Sequence, residues 1–282
     1  MRSFLFPVQI IAEHLDDAWH QALRKCFEFG HEYTVTHGSY EGQKRYEFDF
    51  ITIVIKRPWE QIIPLMPEGL SSPPPASREQ IETYMADYLF MDKKCENEDY
   101  RYGERIVNPK LRSVVREDLS KPHEKSFYVY EGQRSRENLK LRIDSPIQMG
   151  CNQYNEVIRK FKYAGEGTNQ CTIEIAMPND ILLTDPPCLR LIDCRLRYGK
   201  LHFIVYFRSW DLYAGFPVNL GGLELLKQMM ADEIGVKNGS MVTISKGLHI
   251  YSQYYEIVEC QIQMPIEKLR QRGGEKIRQL NV

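Results

Sequence analysis

The chain has 282 residues, 43% hydrophobic and 27% charged, which is enough apolar surface to bury a sizeable core and too little bias for a disordered chain. Its formal net charge of -1 gives no general pull toward nucleic acid or an anionic membrane, so the expected partner is a small molecule. Seven scattered cysteines (Cys26, Cys95, Cys151, Cys171, Cys188, Cys194 and Cys260), an odd number without a CxxC pair, imply neither a disulfide framework nor a metal site.

The opening stretch MRSFLFPVQIIAEHLDDAWH is apolar only briefly before Glu13, Asp16 and Asp17. It fits neither a signal peptide nor a spanning helix, and a cytoplasmic location is expected. Residues 9–29 place Ile10, Leu15, Ala18, Leu23 and Phe27 on roughly one face of an amphipathic helix, with Gly30 as its stop. A β-branched and aromatic run predicts a strand over 45–56. Pro67-Glu68-Gly69 through Pro73-Pro74-Pro75 punctuates the chain with an irregular segment. Helices are predicted over 78–91 and 152–163, then strands over 170–177 and 201–207. A helix over 219–234 lines Leu220, Leu223, Leu226, Met230 and Ile234 on one stripe. Strands over 241–246 and 254–264 follow. No repeat or long linker divides the chain, so one domain over residues 1–282 is expected, and the irregular order of helices and strands points to an α+β fold.

Pro186-Pro187-Cys188 fixes a thiol at a rigid turn or at the start of a strand. Taken alone, such a cysteine reads first as a small buried hydrophobe. Twenty residues on, the run LHFIVYF delivers Arg208-Ser209-Trp210-Asp211, either a strand-end salt bridge or a guanidinium for a phosphate with a carboxylate for a heterocyclic N–H. A cation beside the cysteine would also lower its pKa toward that of a nucleophile. Gly215-Phe216-Pro217-Val218-Asn219 comes next, and Gly247-Leu248-His249-Ile250-Tyr251 follows a later strand.

Pro-Pro-Cys, Arg-Ser-x-Asp-x-x-x-Gly-x-Pro-x-Asn, a helix, a strand and His-x-Tyr together resemble the thymidylate synthase family in order and approximate spacing, most closely its archaeal-type branch. The resemblance implies a large, mostly antiparallel sheet flanked by helices on one face, the other face meeting a twin sheet in a homodimer. It implies the reaction of dUMP with 5,10-methylenetetrahydrofolate, a reduced folate serving as co-substrate, to give dTMP and dihydrofolate. Cys188 would attack carbon 6 of the pyrimidine nucleoside monophosphate. Arg208 and Ser209 would hold its phosphate and His249 and Tyr251 its sugar hydroxyl. Asn219 would pair with the O4 and N3 edge, because a carboxamide offers both a donor and an acceptor. Asp211 would contact the folate pterin and help the pyrimidine end, with Gly215 on the folate side.

Asp99-Tyr100-Arg101-Tyr102-Gly103-Glu104-Arg105 resembles the family's Tyr-Gly-x-x-x-Arg region. There Tyr102 would position a catalytic water and Arg105 would bind substrate. A glutamate working through water is also implied; Glu68 is the first candidate, with Glu60, Glu79 and Glu82 as rivals. The paired arginines that a second subunit brings in the family are here Asn169-Gln170, so the phosphate needs other cations, for which Arg45, Arg105 and Arg190 stand available. Phe207 before Arg-Ser, Gln253-Tyr254 after His-x-Tyr and an atypical C-terminal tail leave a second reading open, a CMP or dCMP 5-hydroxymethylase in which water replaces hydride. A non-catalytic nucleotide binder is disfavoured by the intact Cys188. A cysteine hydrolase built on Cys188, His249 and Asp211 rests on residue types common in any chain of this size.

Overall fold

The computed structural model describes residues 4–36, 40–70, 72–93, 98, 100–116, 126–130, 141–143 and 148–280. Cys95 and Asp99, named above, lie outside them. The chain begins with strand β1 (Pro7–Ala12), in which Val8, Ile10 and Ala12 alternate inward. The helix expected from residue 9 therefore starts later, as α1 (Leu15–Phe29). Ile10 satisfies both a helical and an alternating pattern, and parallel pairing of the whole segment with a neighbouring strand decides for the latter. His14 caps α1 by accepting from the Asp17 N–H, and Gly30 closes it with a backbone bond to Cys26, where the sequence placed its stop.

β2 (His31–Thr34) and β3 (Lys44–Glu47) pair antiparallel. The single strand expected over 45–56 is broken at Phe48-Asp49, and its second half is β4 (Phe50–Ile55) in a different sheet. Helix α2 (Arg78–Thr83) opens with a Ser77–Gln80 capping box and runs into a wider π-helical stretch, Tyr84–Phe90. Helix α3 (Tyr102–Val107) leads to β5 (Lys110–Arg116), β6 (Ser126–Tyr130), β7 (Leu141–Ile143) and β8 (Gln148–Met149), which form a small antiparallel sheet around β5.

Helix α4 (Gln153–Ala164) matches its expected span closely, whereas 170–177 yields only β9 (Thr172–Glu174) before a short 3-10 turn at Pro178–Leu182. There follow β10 (Leu189–Arg197), β11 (Lys200–Phe207), β12 (Trp210–Asp211), helix α5 (Gly215–Ile234), β13 (Lys237–Ser245) and β14 (Leu248–Tyr251). The strand expected over 254–264 is instead helix α6 (Tyr255–Ile262), whose buried Val258, Gln261 and Ile262 recur at helical spacing. Helix α7 (Ile266–Leu280) ends the described chain.

The principal sheet has the order β1-β4-β13-β11-β10-β9. Its β1–β4 and β11–β13 junctions are parallel and the other three antiparallel, so the α+β expectation holds with a sheet more mixed than antiparallel. A second sheet, β12-β14-β3-β2, abuts it. The inward residues of the principal sheet, among them Ile53, Ile55, Phe203, Val205 and Phe207, share one core with Trp19 and Phe27 of α1 and Phe216, Leu220 and Leu223 of α5. Each fully buried side chain of this kind contributes roughly 1.5–3 kcal/mol over leaving it in water. Trp19 also donates from its indole to Leu212 O at 2.9 Å, tying α1 to the turn that launches α5.

Candidate active site

Four stretches far apart in sequence meet where β10, β11, β12 and β14 converge. The Arg208 N–H donates to Cys188 O (2.8 Å), the Trp210 N–H to Gly247 O (2.9 Å) and the Leu212 N–H to His249 O (2.7 Å). Parallel pairing sets Asp211 beside His249. Gly247 makes the junction possible: a Cβ there would lie 2.9 Å from Arg208 O and 3.3 Å from Ser209 Cα. Asn219, one turn into α5, joins through its side chain, accepting from the Trp210 indole at 2.9 Å. The stretches that carry Cys188, Arg208, Ser209, Asp211, Asn219, His249 and Tyr251 thus converge on one region.

Cys188 is partly buried, with burial pushing its thiol up, Arg208 pulling it back down and Asp185 raising it again. The net shift is upward. The pull expected from a neighbouring cation is present, but desolvation outweighs it. Arg208 is turned onto the Pro186-Pro187 carbonyls and pairs with Asp185 at 3.1 Å. Neutralising that carboxylate as Asp185→Asn is expected to speed alkylation of Cys188 by iodoacetamide several-fold near pH 8, read site by site by peptide mass mapping.

Tyrosines wall the thiol. The Tyr100 side chain lies close to Cys188 and draws its thiol pKa down. The Tyr102 hydroxyl accepts from the Leu189 N–H at 3.2 Å, one residue past the thiol, and the ring of Tyr88 meets that of Tyr102 edge-on at 5.3 Å. Tyr84 stacks on Tyr88 at 5.4 Å and is fitted against α5 by Gly222, whose Cβ would come within 2.5 Å of the Tyr84 ring. Its hydroxyl is buried near Asn219 without reaching hydrogen-bond geometry. Of these four, only Tyr102 was picked out as a site residue in the sequence; the Tyr84-x-x-x-Tyr88 spacing within a predicted helix was the signal for two more.

His249 is 2% exposed. Its Nδ1 pairs with Gly247 O at 2.8 Å, which makes Nδ1 the donor. Nε2 is left as a buried acceptor without a protein partner among the described residues. The ring stands edge-on to Tyr251 at 4.7 Å, so the two alternate residues share a face. Burial, then the nearby Arg45 guanidinium, push the His249 pKa down to about 3. Because that lies below the ordinary 6.5, the unfolded chain takes up the proton first. The stability tied to neutral His249 is complete above about pH 6.5 and is lost as pH falls toward 3. Between pH 6 and 4 the wild type should lose about 1.4 kcal/mol per pH unit more than His249→Gln in urea unfolding, and parallel curves would remove the assignment.

Directly across from His249 in the ladder stands Glu47, which sequence reading passed over. Its carboxylate pairs with Arg45 at 2.8 Å and accepts from the Tyr33 hydroxyl at 2.9 Å, and burial raises its pKa. Nothing in the strand pattern around it marks it, because the partner strand lies two hundred residues away.

Asp211 Oδ1 accepts from the Tyr213 and Ala214 N–H groups (2.9 and 3.4 Å), capping the turn into α5. Burial nonetheless raises its pKa. Gly215 approaches both Asp211 and the Asn219 amide, since a Cβ there would lie 3.2 Å from Asp211 Cβ and 3.5 Å from Asn219 Oδ1.

Two expectations need correction. Arg105 is wholly buried, donating both terminal nitrogens to Asp180 (3.0 and 3.1 Å) and one to Ile175 O. Its guanidinium is committed to that carboxylate and that carbonyl. Glu60 and Glu68 are exposed on the loop after β4, and Glu79 and Glu82 are exposed on α2; Glu60 pairs with Arg57 and Glu82 with Arg78. No described contact joins any of them to the Cys188 group. Arg190, by contrast, stays near the thiol, sharing Asp180 at 3.2 Å and donating to Pro187 O. Among the described residues no cluster of three or more His, Cys, Asp or Glu side chains is placed to hold a metal.

The family profile described as thymidylate synthase matches residues 111–276 of this chain, more than half its length. The chain belongs to the thymidylate synthase family. A Methanosarcina barkeri protein provisionally described as a thymidylate synthase is 27% identical over 88% of this chain and 91% of its own. The thymidylate synthase of varicella-zoster virus is 32% identical over 41% of this chain and 38% of its own. Among solved structures, thymidylate synthase A of Bacillus subtilis superposes with a TM-score of 0.59 over 89% of this chain and 84% of its own, at 13% identity, which establishes the shared fold. The motifs that converge above, from Cys188 to Tyr251, all fall within the matched stretch.

Proposed function

We propose that the chain methylates dUMP at carbon 5 with 5,10-methylenetetrahydrofolate, as a single cytoplasmic catalytic domain. The observation that carries this reading is that the Asn219 carboxamide and the Cys188 thiol both lie close enough to act on the Tyr84 hydroxyl, with His249 Nε2 buried and unpartnered among the described residues at the same junction. The amide suits the donor–acceptor edge of uracil, and the imidazole nitrogen suits a sugar hydroxyl, which can donate where the protein does not.

In this mechanism the Cys188 thiol loses its proton and the sulfur bonds to carbon 6. The displaced electron pair gathers at carbon 5 and O4, where the Asn219 donor stabilises it. Carbon 5 then attacks the methylene carbon of the folate co-substrate and later loses its proton to a base. Loss of that proton expels the folate nitrogen and leaves an exocyclic methylene on carbon 5; hydride from the folate adds to it and the electron pair so released drives the Cys188 sulfur off carbon 6, giving dTMP and dihydrofolate. With the candidate glutamates exposed, Asp211 and Tyr102 are the groups to which this reading gives the proton transfers, Tyr102 being held one residue past the thiol. Arg208 and Ser209 take the phosphate, which must draw Arg208 from Asp185.

Hydroxymethylation of CMP or dCMP is the second reading, favoured by one feature: the tyrosine hydroxyls around Cys188 could hold a water where hydride transfer needs a dry site. Incubation with methylenetetrahydrofolate and, separately, dUMP, dCMP and CMP decides between them by product mass and folate oxidation state. A methylated uridylate with dihydrofolate supports the first reading; a hydroxymethylated cytidylate with tetrahydrofolate replaces it with the second.

A homodimer through the principal sheet is part of the proposal. On the face away from the helices, Val54, Ile204, Tyr206, Val242 and Ile244 are only half-buried, apolar surface that a twin sheet would cover. Sedimentation at micromolar concentration should give a dimer mass, and a monomer would sink this part.

A further inference from the structure

An asparagine is by itself an ambivalent reader of pyrimidines. With its oxygen toward N3 and its NH2 toward position 4 it matches uracil; turned over, it matches cytosine, since both pairs of groups exchange roles. Something must hold the amide one way round if the base is to be chosen at this position.

Trp210, the variable residue of Arg-Ser-x-Asp, does so here. Its indole nitrogen can only donate, so the 2.9 Å contact with Asn219 identifies the amide oxygen and leaves the NH2 on the other side. The indole is itself immobilised: it is 3% exposed, stacked on Phe207 at 4.1 Å and on Phe216 at 4.7 Å. Its backbone is fixed to Gly247. Turning the amide over would face NH2 against N–H, losing one hydrogen bond and stranding a buried donor, a bias of roughly ten- to a hundredfold.

We infer that Trp210 is a positioning residue that locks the Asn219 carboxamide in one orientation and thereby sets discrimination between uracil and cytosine nucleotides. This rests on the pyrimidine-nucleotide reading above. On that reading the locked orientation is the one that accepts uracil.

Trp210→Phe keeps the aromatic stack and removes the donor. The expected result is a gain: kcat/KM for carbon 5 hydrogen exchange on dCMP rises, and the dUMP-to-dCMP ratio falls by about tenfold or more, with dUMP turnover reduced far less. A merely structural role would lower both substrates together and leave the ratio unchanged, and that outcome overturns the inference. A second measurement needs no turnover. The Trp210 indole N–H resonance, assigned by its disappearance in Trp210→Phe, should be protected from solvent exchange in the wild type and lose that protection in Asn219→Ala. Unprotected wild-type signal overturns the lock even if nucleotides bind. A protected indole in a protein that binds neither dUMP nor dCMP would sink the nucleotide reading, and the specificity role with it, while leaving the indole–amide contact standing.

Discussion

Replacing Cys188 by alanine abolishes exchange of the carbon 5 hydrogen of a bound uridylate while the protein stays folded. The thiol sits at the start of β10, with Pro187 before it and Leu189 fully buried after it. Removing one sulfur from a half-buried position leaves that backbone in place, because its carbonyl is held by the Arg208 N–H and the next N–H by Tyr102. The stability change should be about 1 kcal/mol. The chemical change is far larger, since carbon 5 becomes basic only once a nucleophile has added at carbon 6. Cys26, the other thiol that reaches this junction, is fully buried with its pKa pushed well up by burial, so loss by at least about four orders of magnitude is expected. Tritium release from carbon 5-labelled dUMP measures it, and thermal melting of the same sample checks the fold. Turnover near the wild-type rate would refute the nucleophile assignment, whatever product the enzyme makes.

Substituting Arg105 by alanine unfolds rather than inactivates. The sequence reading gave Arg105 to the substrate, and the structure gives it to Asp180 with two hydrogen bonds in a site where the pair is 0% and 2% exposed. Arg105 also holds Ile175 O, while Asp180 accepts from the Met177 N–H and pairs with Arg190. The pair therefore pins α3 to the segment that precedes Pro-Pro-Cys. Removing the guanidinium strands a buried carboxylate, a change that typically costs about 3–5 kcal/mol, or roughly 10 °C in melting temperature for a chain of this size. Asp180→Ala should do the same from the other side, and the double variant should cost less than the sum of the two singles. If Arg105→Ala instead melted like the wild type and raised KM for the nucleotide alone, Arg105 would return to the phosphate site.

These two residues show what kind of information the chain carries. Cys188 was legible because its signal is covalent and local: two prolines fix its approach, and Arg-Ser-x-Asp, Asn219 and His-x-Tyr recur at spacings that a strand, a helix and a strand translate into one junction. Asn219 was legible for its chemistry, but not its orientation, which depends on an indole nine residues away. Helix α4 and the stop of α1 at Gly30 were read correctly, since a polar-to-apolar periodicity and a glycine act locally. The strand assigned to 254–264 failed because Tyr, Ile and Val suit either element, and packing of α6 against α1 and the second sheet decided for helix.

The sequence by itself determined the family and the α+β class, and it singled out the side chains that the fold gathers where β10, β12 and β14 converge. Tertiary structure alone decided which charges work and which are structural. Arg105, expected from the sequence to bind substrate, is paired with Asp180, and Glu224 with Lys227 is buried on α5 at 2.7 Å. Tertiary structure likewise decided that Glu68 lies out in solvent, that Glu47 faces His249, and that Trp210 grips Asn219. The physical reason is common to all of them: the free energy of a charge or an amide depends on its desolvation and on partners brought from distant parts of the chain, and neither is written in the residue or its neighbours.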